Sequence, residues 1–225
     1  AERAQARPAD LCHGSIHQVA AVPGVQSAAL SRGLPMQIEG VAPILVEGAA
    51  SDAAPSFPGM IWAGAGFFET LGIPLLYGRV FDARDRAETP SVAVITGTMA
   101  RQLFGAENAV GRRFRRQAEP DSWTEVIGVV GDTGTGDFSD DVLDPVPYLF
   151  YRSYAQAGLP PTTVVARTSG DAGVLVASMQ RELRAVDVTL PVMTATTMAQ
   201  ALERSQAVPK AVATFLGVLG GLGLL

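Results

Sequence analysis

The chain has 225 residues, of which 48% are hydrophobic, enough for one large domain or two lobes around a sizeable core. A net charge of −5 excludes the basic excess of a nucleic-acid binder, and a single cysteine, Cys12, excludes an internal disulfide framework or a multi-cysteine metal site. Only 17% of residues are charged and mean hydropathy is positive, which points to a very apolar domain or to one that carries a membrane segment.

The chain starts at Ala1 with no methionine, basic n-region or apolar h-region, so no signal peptide is expected within it. Asp10 to Val22 reads as a helix with Leu11, Ile16, Val19 and Ala20 on one side, ended by Pro23-Gly24. Val25 to Leu30 is a predicted strand, Gly33-Leu34-Pro35 a turn, and Ile44 to Val46 a second short strand. Ala49 to Pro58 is small and proline-containing, hence loop-like, and Met60 to Ala63 is a strand feeding the next helix.

Ala63 to Asp85 is the most recognisable stretch. Phe67, Phe68 and Leu71 are the apolar residues of a short helix. Gly72 follows where helices commonly end in the left-handed region, Ile73 folds back, and Pro74 cannot continue the helix. Leu75, Leu76 and Tyr77 read as a short buried strand that Gly78-Arg79 breaks. Phe81 returns an apolar anchor before an acidic turn containing Asp82, Arg84 and Asp85. Gly72, Pro74 and Gly78 are therefore predicted as structural turn residues, and the stretch holds no catalytic group.

Val92 to Ile95 is continuously apolar, as expected of a strand covered on both faces. Thr96 is placed to cap a helix through Phe104, which Gly105 stops. Gly111 to Arg116 and Thr124 to Val130 read as two strands joined around Pro120, and Gly131 to Asp144 as a glycine- and acid-rich loop. Val146 to Tyr151 is a strand that Pro145 and Pro147 would place at a sheet edge. Gln156 to Pro161 is linker-like and Thr163 to Ala166 a strand. Ser169 or Asp171 caps a helix with a stripe of Leu175, Met179, Leu183 and Val186, while Arg181, Glu182 and Arg184 face out. Leu190 to Met193 is a strand, and Thr196 or Thr197 caps a last helix through Gln206.

Pro209 and Lys210 then precede Ala211 to Leu225, an uncharged apolar run in which the chain stops. A spanning helix needs about 20 such residues, so Phe215, Leu216, Val218, Leu219 and Leu222 read as the start of a transmembrane helix. The simpler alternative is a buried C-terminal helix. Gly217, Gly220, Gly221 and Gly223 weigh against it, because each costs a soluble helix about 1 kcal/mol whereas membranes tolerate them.

Candidate chemistry is sparse. His13 and His17 have the i, i+4 spacing of a metal clip, but Gly14 stands where the metalloprotease pattern needs Glu, so two exposed histidines is the simpler reading. Gly131 to Asp137 has the glycine content of a phosphate loop without its Gly-Lys-Ser/Thr ending. Asp137, Asp140, Asp141 and Asp144 lack EF-hand spacing and read as a solvated acidic loop. Arg112, Arg113, Arg115 and Arg116 form the one basic cluster, split between the two faces of a strand around Phe114. It reads either as a solvated hairpin or as a docking point for an acidic partner or lipid head groups. No metal or cofactor is expected, and no catalytic residue.

Several short pieces carry a resemblance by their order: Pro23 to Ala29, Val46-Glu47-Gly48, Gly66 to Leu75, Gly78-Arg79-Val80-Phe81, Val92 to Ile95, Leu103-Phe104-Gly105, Val110 to Arg113, Val126 to Asp132, Leu190-Pro191-Val192 and Thr197-Met198. The chain resembles the MacB-like periplasmic core domain of FtsX-type ABC-transporter permeases, most of all the Acidobacteria-type duplicated orphan permeases. Ala65-Gly66 departs from the more polar pair expected there. The resemblance implies an α+β domain in two lobes, one of residues 1–75 and 160–208 near the membrane, the other of 76–159 inserted and farther out. Residues 209–225 would begin the second transmembrane helix, joined at Pro209 and Lys210.

It further implies an inner-membrane protein with this domain on the periplasmic side and no catalysis of its own. The expected partners are the lipid bilayer, other transmembrane segments of the same permease, a separate ATP-binding cassette subunit, periplasmic proteins and a second copy in a homodimer, with no nucleic acid. A mechanical module coupling helix movement to periplasmic motion for export or efflux is the first reading. A membrane-anchored ligand-binding or sensing module is the second, and a soluble enzyme using the aspartate loop the third.

Overall fold

In the computed structural model of the chain, the described residues are 16–33, 38–50, 54–133, 148–186 and 195–201. They form a mixed α+β fold built on one large sheet. Its strands are β1 (Val25–Arg32), β2 (Gly40–Val41), β3 (Ile44–Val46), β4 (Gly59–Ala63), β5 (Leu75–Gly78), β6 (Val92–Thr96), β7 (Arg113–Arg116), β8 (Trp123–Val130), β9 (Leu149–Ser153) and β10 (Thr163–Thr168). The helices are α1 (Phe67–Leu71), α2 (Gly97–Phe104) and α3 (Ala172–Val186). Residues 16–20 and 198–201 are also helical.

The strand order is β10-β1-β4-β9-β6-β8-β7-β3, with β2 added to β4 and β5 to β8. The β4–β9 and β6–β8 pairs are parallel and the others antiparallel. The far end of the path returns to its middle. Ile44 of β3 bridges Ser56, the Ala42 N–H donates to the Pro58 carbonyl (3.2 Å), and Gly40 pairs with Met60. The strands from β4 to β3 therefore close on the segment that leads into β4.

β6 lies in the middle, buried at all five residues, and its alternating side chains feed two cores. Val92 and Val94 join Phe67, Phe68, Phe81 and Tyr151 on the side that α1 covers. Ala93 and Ile95 join Ile44, Phe114 and Phe150 on the side that Met99 and Ala100 of α2 cover. Edge-to-face rings fix both: Phe68 against Tyr151 at 4.9 Å, and Phe114 against Phe150 at 5.3 Å. In β8 a register shift opposite Ala93/Val94 changes the phase, so Val126 and Val129 face one core while Ile127 and Val130 face the other.

Local chemistry sets the element ends. The Thr96 hydroxyl accepts from the Met99 N–H (3.4 Å) at the start of α2, and Gly105 closes it at φ 65°. The Asp171 carboxylate accepts from the Gly173 N–H (2.8 Å) at the start of α3. Leu175, Met179 and Leu183 are half-buried, while Arg181, Glu182 and Arg184 are exposed. Thr197 and Gln200 cap each other reciprocally in the last described turn.

Three expectations are corrected. β9 is not at an edge but lies between β4 and β6; it begins at Leu149, beyond Pro145 and Pro147, so each of its residues keeps an N–H for pairing. β5 forms at the predicted place but is not buried: among the described residues it pairs only with β8, and Leu75, Leu76, Tyr77 and Gly78 are all exposed. Ala20 is exposed while its neighbour Val19 is fully buried, one helical step of about 100° apart. No helix of the described residues is long and apolar enough to cross a membrane. Leu190 to Met193 and Ala211 to Leu225 lie outside the described residues.

Candidate functional site

The turn between α1 and β5 is built by backbone geometry that only glycine enters easily. Gly72 ends α1 at φ 71°, its N–H donating to the Glu69 carbonyl (3.1 Å), while the Ile73 N–H donates to the Phe68 carbonyl (2.8 Å). Arg167 of β10 reaches across and donates from Nε to the Thr70 carbonyl (2.9 Å). The Pro74 carbonyl accepts from the Gly131 N–H (2.8 Å). Gly78, at φ 77°, is the register partner of Gly128, and a side chain at either position would meet backbone. Gly72 and Pro74 thus stand between α1 and β5, beside contacts to β10 and to Gly131, and Gly78 stands at the far end of β5 against β8.

An ion pair that the sequence pattern does not single out follows directly. Arg79 donates to both carboxylate oxygens of Asp85 (2.8 and 2.9 Å), and the Asp82 N–H donates to the same carboxylate (3.0 Å). The Asp85 side chain is only 4% exposed, and its backbone carbonyl accepts from the Ser153 hydroxyl (3.3 Å). The hydrogen bond to Asp85 raises the Arg79 pKa against the effect of its own burial. Arg84 holds the exposed Asp82 well below the ordinary carboxylate range through direct hydrogen bonds. A mixed-charge turn gives no sequence signal for which carboxylate is buried.

The arginine cluster is divided. Arg113 forms a two-point ion pair with Glu47 and lies 5.9 Å from the Trp123 ring centroid; Arg115 stacks on the same ring at 5.3 Å. Arg116 pairs with Glu119, which also lies 3.5 Å from Arg152. Arg152 in turn covers Trp62 at 5.2 Å. Burial, and then the neighbouring Arg152, lower the Arg116 pKa; burial lowers that of Arg152. Arg112 is exposed and makes no side-chain hydrogen bond or ion pair among the described residues.

Where the glycine-rich loop begins, Asp132 anchors α2. It accepts from the Thr98 N–H (2.8 Å), the Thr98 hydroxyl (2.9 Å) and Arg101 (3.1 Å). Burial opposes its ionisation, but these hydrogen bonds lower its pKa on balance. The acidic oxygens face the protein's own helix rather than a ligand. Tyr151 hydrogen-bonds Thr133 (3.2 Å), and burial pushes its pKa up to about 12.

His17 is exposed, and among the described residues no group of three His, Cys, Asp or Glu side chains is gathered as for a metal ion. Cys12, His13, Asp137, Asp140, Asp141, Asp144, Pro209, Lys210, Phe215, Leu216, Val218, Leu219 and Leu222 lie outside the described residues. The described arrangement is a closed path of strands, with helices joined to it by glycine turns and charge-assisted bonds.

The family model described as MacB-like periplasmic core domain matches residues 3–207. A curated relative, the macrolide export ATP-binding/permease protein MacB 2 of Aeromonas hydrophila, is 34% identical over 90 residues, which are 40% of this chain and 13% of that protein's length. Among solved structures, the periplasmic region of MacB from Actinobacillus actinomycetemcomitans shares the fold with a TM-score of 0.52 at 17% identity, covering 76% of this chain and 72% of that one. The extracellular domain of the noncanonic ABC-type transporter YknZ from Gram-positive bacteria gives 0.48 at 17% identity, covering 76% and 79%.

Proposed function

The chain belongs to the family of MacB-like periplasmic core domains, and from that premise we propose that it is the extracytoplasmic domain of an ABC-type permease of the inner membrane. In this reading it carries out no chemistry. It transmits displacement of transmembrane helices into motion on the periplasmic side for export or efflux, and a separate ATP-binding subunit supplies the energy. The observation that carries the proposal is the family match across residues 3–207. Export is part of the name of the Aeromonas relative, and the chain spans 13% of that protein, so here the activity is proposed for the whole permease.

On the same reading the domain divides into a membrane-proximal lobe, 1–75 and 160–208, and a distal lobe, 76–159. Pairing of β4 with β9 and of β3 with β7 supports rigid-body transmission, because backbone hydrogen bonds join strands from both segments. Pro209 and Lys210 form the proposed join to a membrane helix that begins with Phe215, Leu216, Val218, Leu219 and Leu222. Its partners would be the bilayer, the remaining transmembrane segments, the ATP-binding subunit, a periplasmic protein and a second copy of the chain.

The test is a flexible Gly-Ser insertion after Val208 in the full-length permease. A flexible linker absorbs displacement, so export or resistance in cells should be lost while thermal unfolding of the domain is unchanged. Full activity with the insertion would refute mechanical coupling and favour a tethered ligand-binding or sensing module.

A further inference from the structure

Among the described residues the arginine cluster leaves one charge without a partner, and it stands beside a cleft. Glu47 holds Arg113, Arg115 stacks on Trp123 and donates to the Pro120 carbonyl (3.0 Å), and Glu119 holds Arg116. Arg112 lines a cleft of about 400 Å³ between the end of β3, the last turn of α2 and the start of β7. That volume falls in the range of small-molecule sites, about 300–1,000 Å³. Leu103 and Phe104, both half-buried, give it an apolar lining together with Val46, and Gly48 and Ala49 add no bulky side chain to it.

Charge decides what such a cleft would hold. Two guanidinium groups and one carboxylate line it, and the carboxylate of Glu47 is already committed to Arg113. The cleft therefore carries one uncompensated positive charge, on a chain whose net charge is −5. An anionic head gains a charge-assisted hydrogen bond from Arg112. An apolar body gains by covering Leu103, Phe104 and Val46. A purely apolar ligand forgoes the first interaction, and a small inorganic anion the second.

We propose that this cleft binds an amphipathic anion, with its carboxylate or phosphate-type head on Arg112 and its apolar body against Leu103, Phe104 and Val46. The site is independent of the transport reading and would stand if that reading failed. The anion's source is either a free amphipathic acid or the head group of an anionic lipid, and the two are separated by experiment.

The full chain is titrated with octanoate below its micelle concentration, with octanol, with inorganic phosphate, and with vesicles of zwitterionic or phosphatidylglycerol lipid. Saturable one-to-one binding of octanoate is expected, with octanol and phosphate each several-fold weaker, since octanol forgoes the charged hydrogen bond and phosphate the apolar contact. Arg112→Gln should weaken octanoate several-fold without moving the melting temperature, because the side chain has no partner to lose among the described residues. Glu47→Gln should tighten it, because Arg113 is then released from its carboxylate. Saturation by phosphatidylglycerol vesicles without octanoate binding, still lost in Arg112→Gln, would support the same anion site with lipid as its source. Equal binding of octanol and octanoate, indifference to Arg112→Gln, or no saturable binding of any probe would overturn the proposal.

Discussion

Replacing Gly78 by alanine tests how closely β5 approaches β8. A Cβ at this position would lie 2.2 Å from the Ile127 carbonyl oxygen and 2.8 Å from a methyl of Val110. Two terms then add. At φ 77° a non-glycine residue incurs the left-handed penalty, about 1–2 kcal/mol. The Ile127 carbonyl is backbone and already accepts from the Arg79 N–H (2.9 Å), so it cannot turn aside, and overpacking of this kind costs about 1–3 kcal/mol. The expected loss is about 2–5 kcal/mol, a large share of a typical domain's stability.

Two other glycines calibrate the terms. Gly105 has nearly the same backbone, φ 65°, and an alanine methyl there would meet nothing within 4 Å, so Gly105→Ala should lose only about 1–2 kcal/mol. At Gly72, φ 71°, the Cβ would lie 2.5 Å from the end of the Arg167 side chain, which can move aside while loosening its bond to Thr70; Gly72→Ala should fall between the two. Urea unfolding followed by far-ultraviolet circular dichroism measures all three, with an unchanged m-value confirming a common unfolding transition. Equal losses at Gly78 and Gly105 would show that β5 does not lie as tightly on β8 as described.

Asp85→Ala leaves Arg79 without its buried partner and the Asp82 N–H without an acceptor; because Arg79 is 38% exposed and can be rehydrated, the expected loss is about 2–3 kcal/mol rather than that of a fully buried pair. A double-mutant cycle with Arg79→Met should recover most of that loss as coupling, and additive losses would contradict the pair. Tyr151 sets a pH dependence. Its folded pKa is raised to about 12 from 10.0, so its contribution is fully present below pH 10 and is lost as pH rises through 12. Tyr151→Phe should cost about 1 kcal/mol at neutral pH, for the bond to Thr133, and should flatten the alkaline decline; an unchanged slope between pH 10 and 12 in unfolding titrations would refute this.

The sequence by itself determined much of the local structure. The apolar run Val92 to Ile95, the cap at Thr96, the stop at Gly105 and the left-handed exit at Gly72 follow from side-chain and backbone preferences over a few residues, and each stands where those preferences put it. The order of such pieces along the chain also carried the resemblance to the family whose model matches residues 3–207. Tertiary structure alone decided what each piece faces. Leu75, Leu76 and Tyr77 are apolar enough for a core, yet among the described residues β5 has one neighbour strand and is exposed; β9 follows two prolines, yet it lies between two strands. Asp82 and Asp85 are the same residue type three positions apart, and only Asp85 is buried, because Arg79 and the Ser153 hydroxyl meet it there. Among the four arginines, composition gives one basic patch, whereas Glu47, Trp123 and Glu119 engage three and leave Arg112 at a cleft. Propensity acts between neighbours in the chain, but burial and charge pairing depend on residues tens of positions away, so they are settled only when the strands come together.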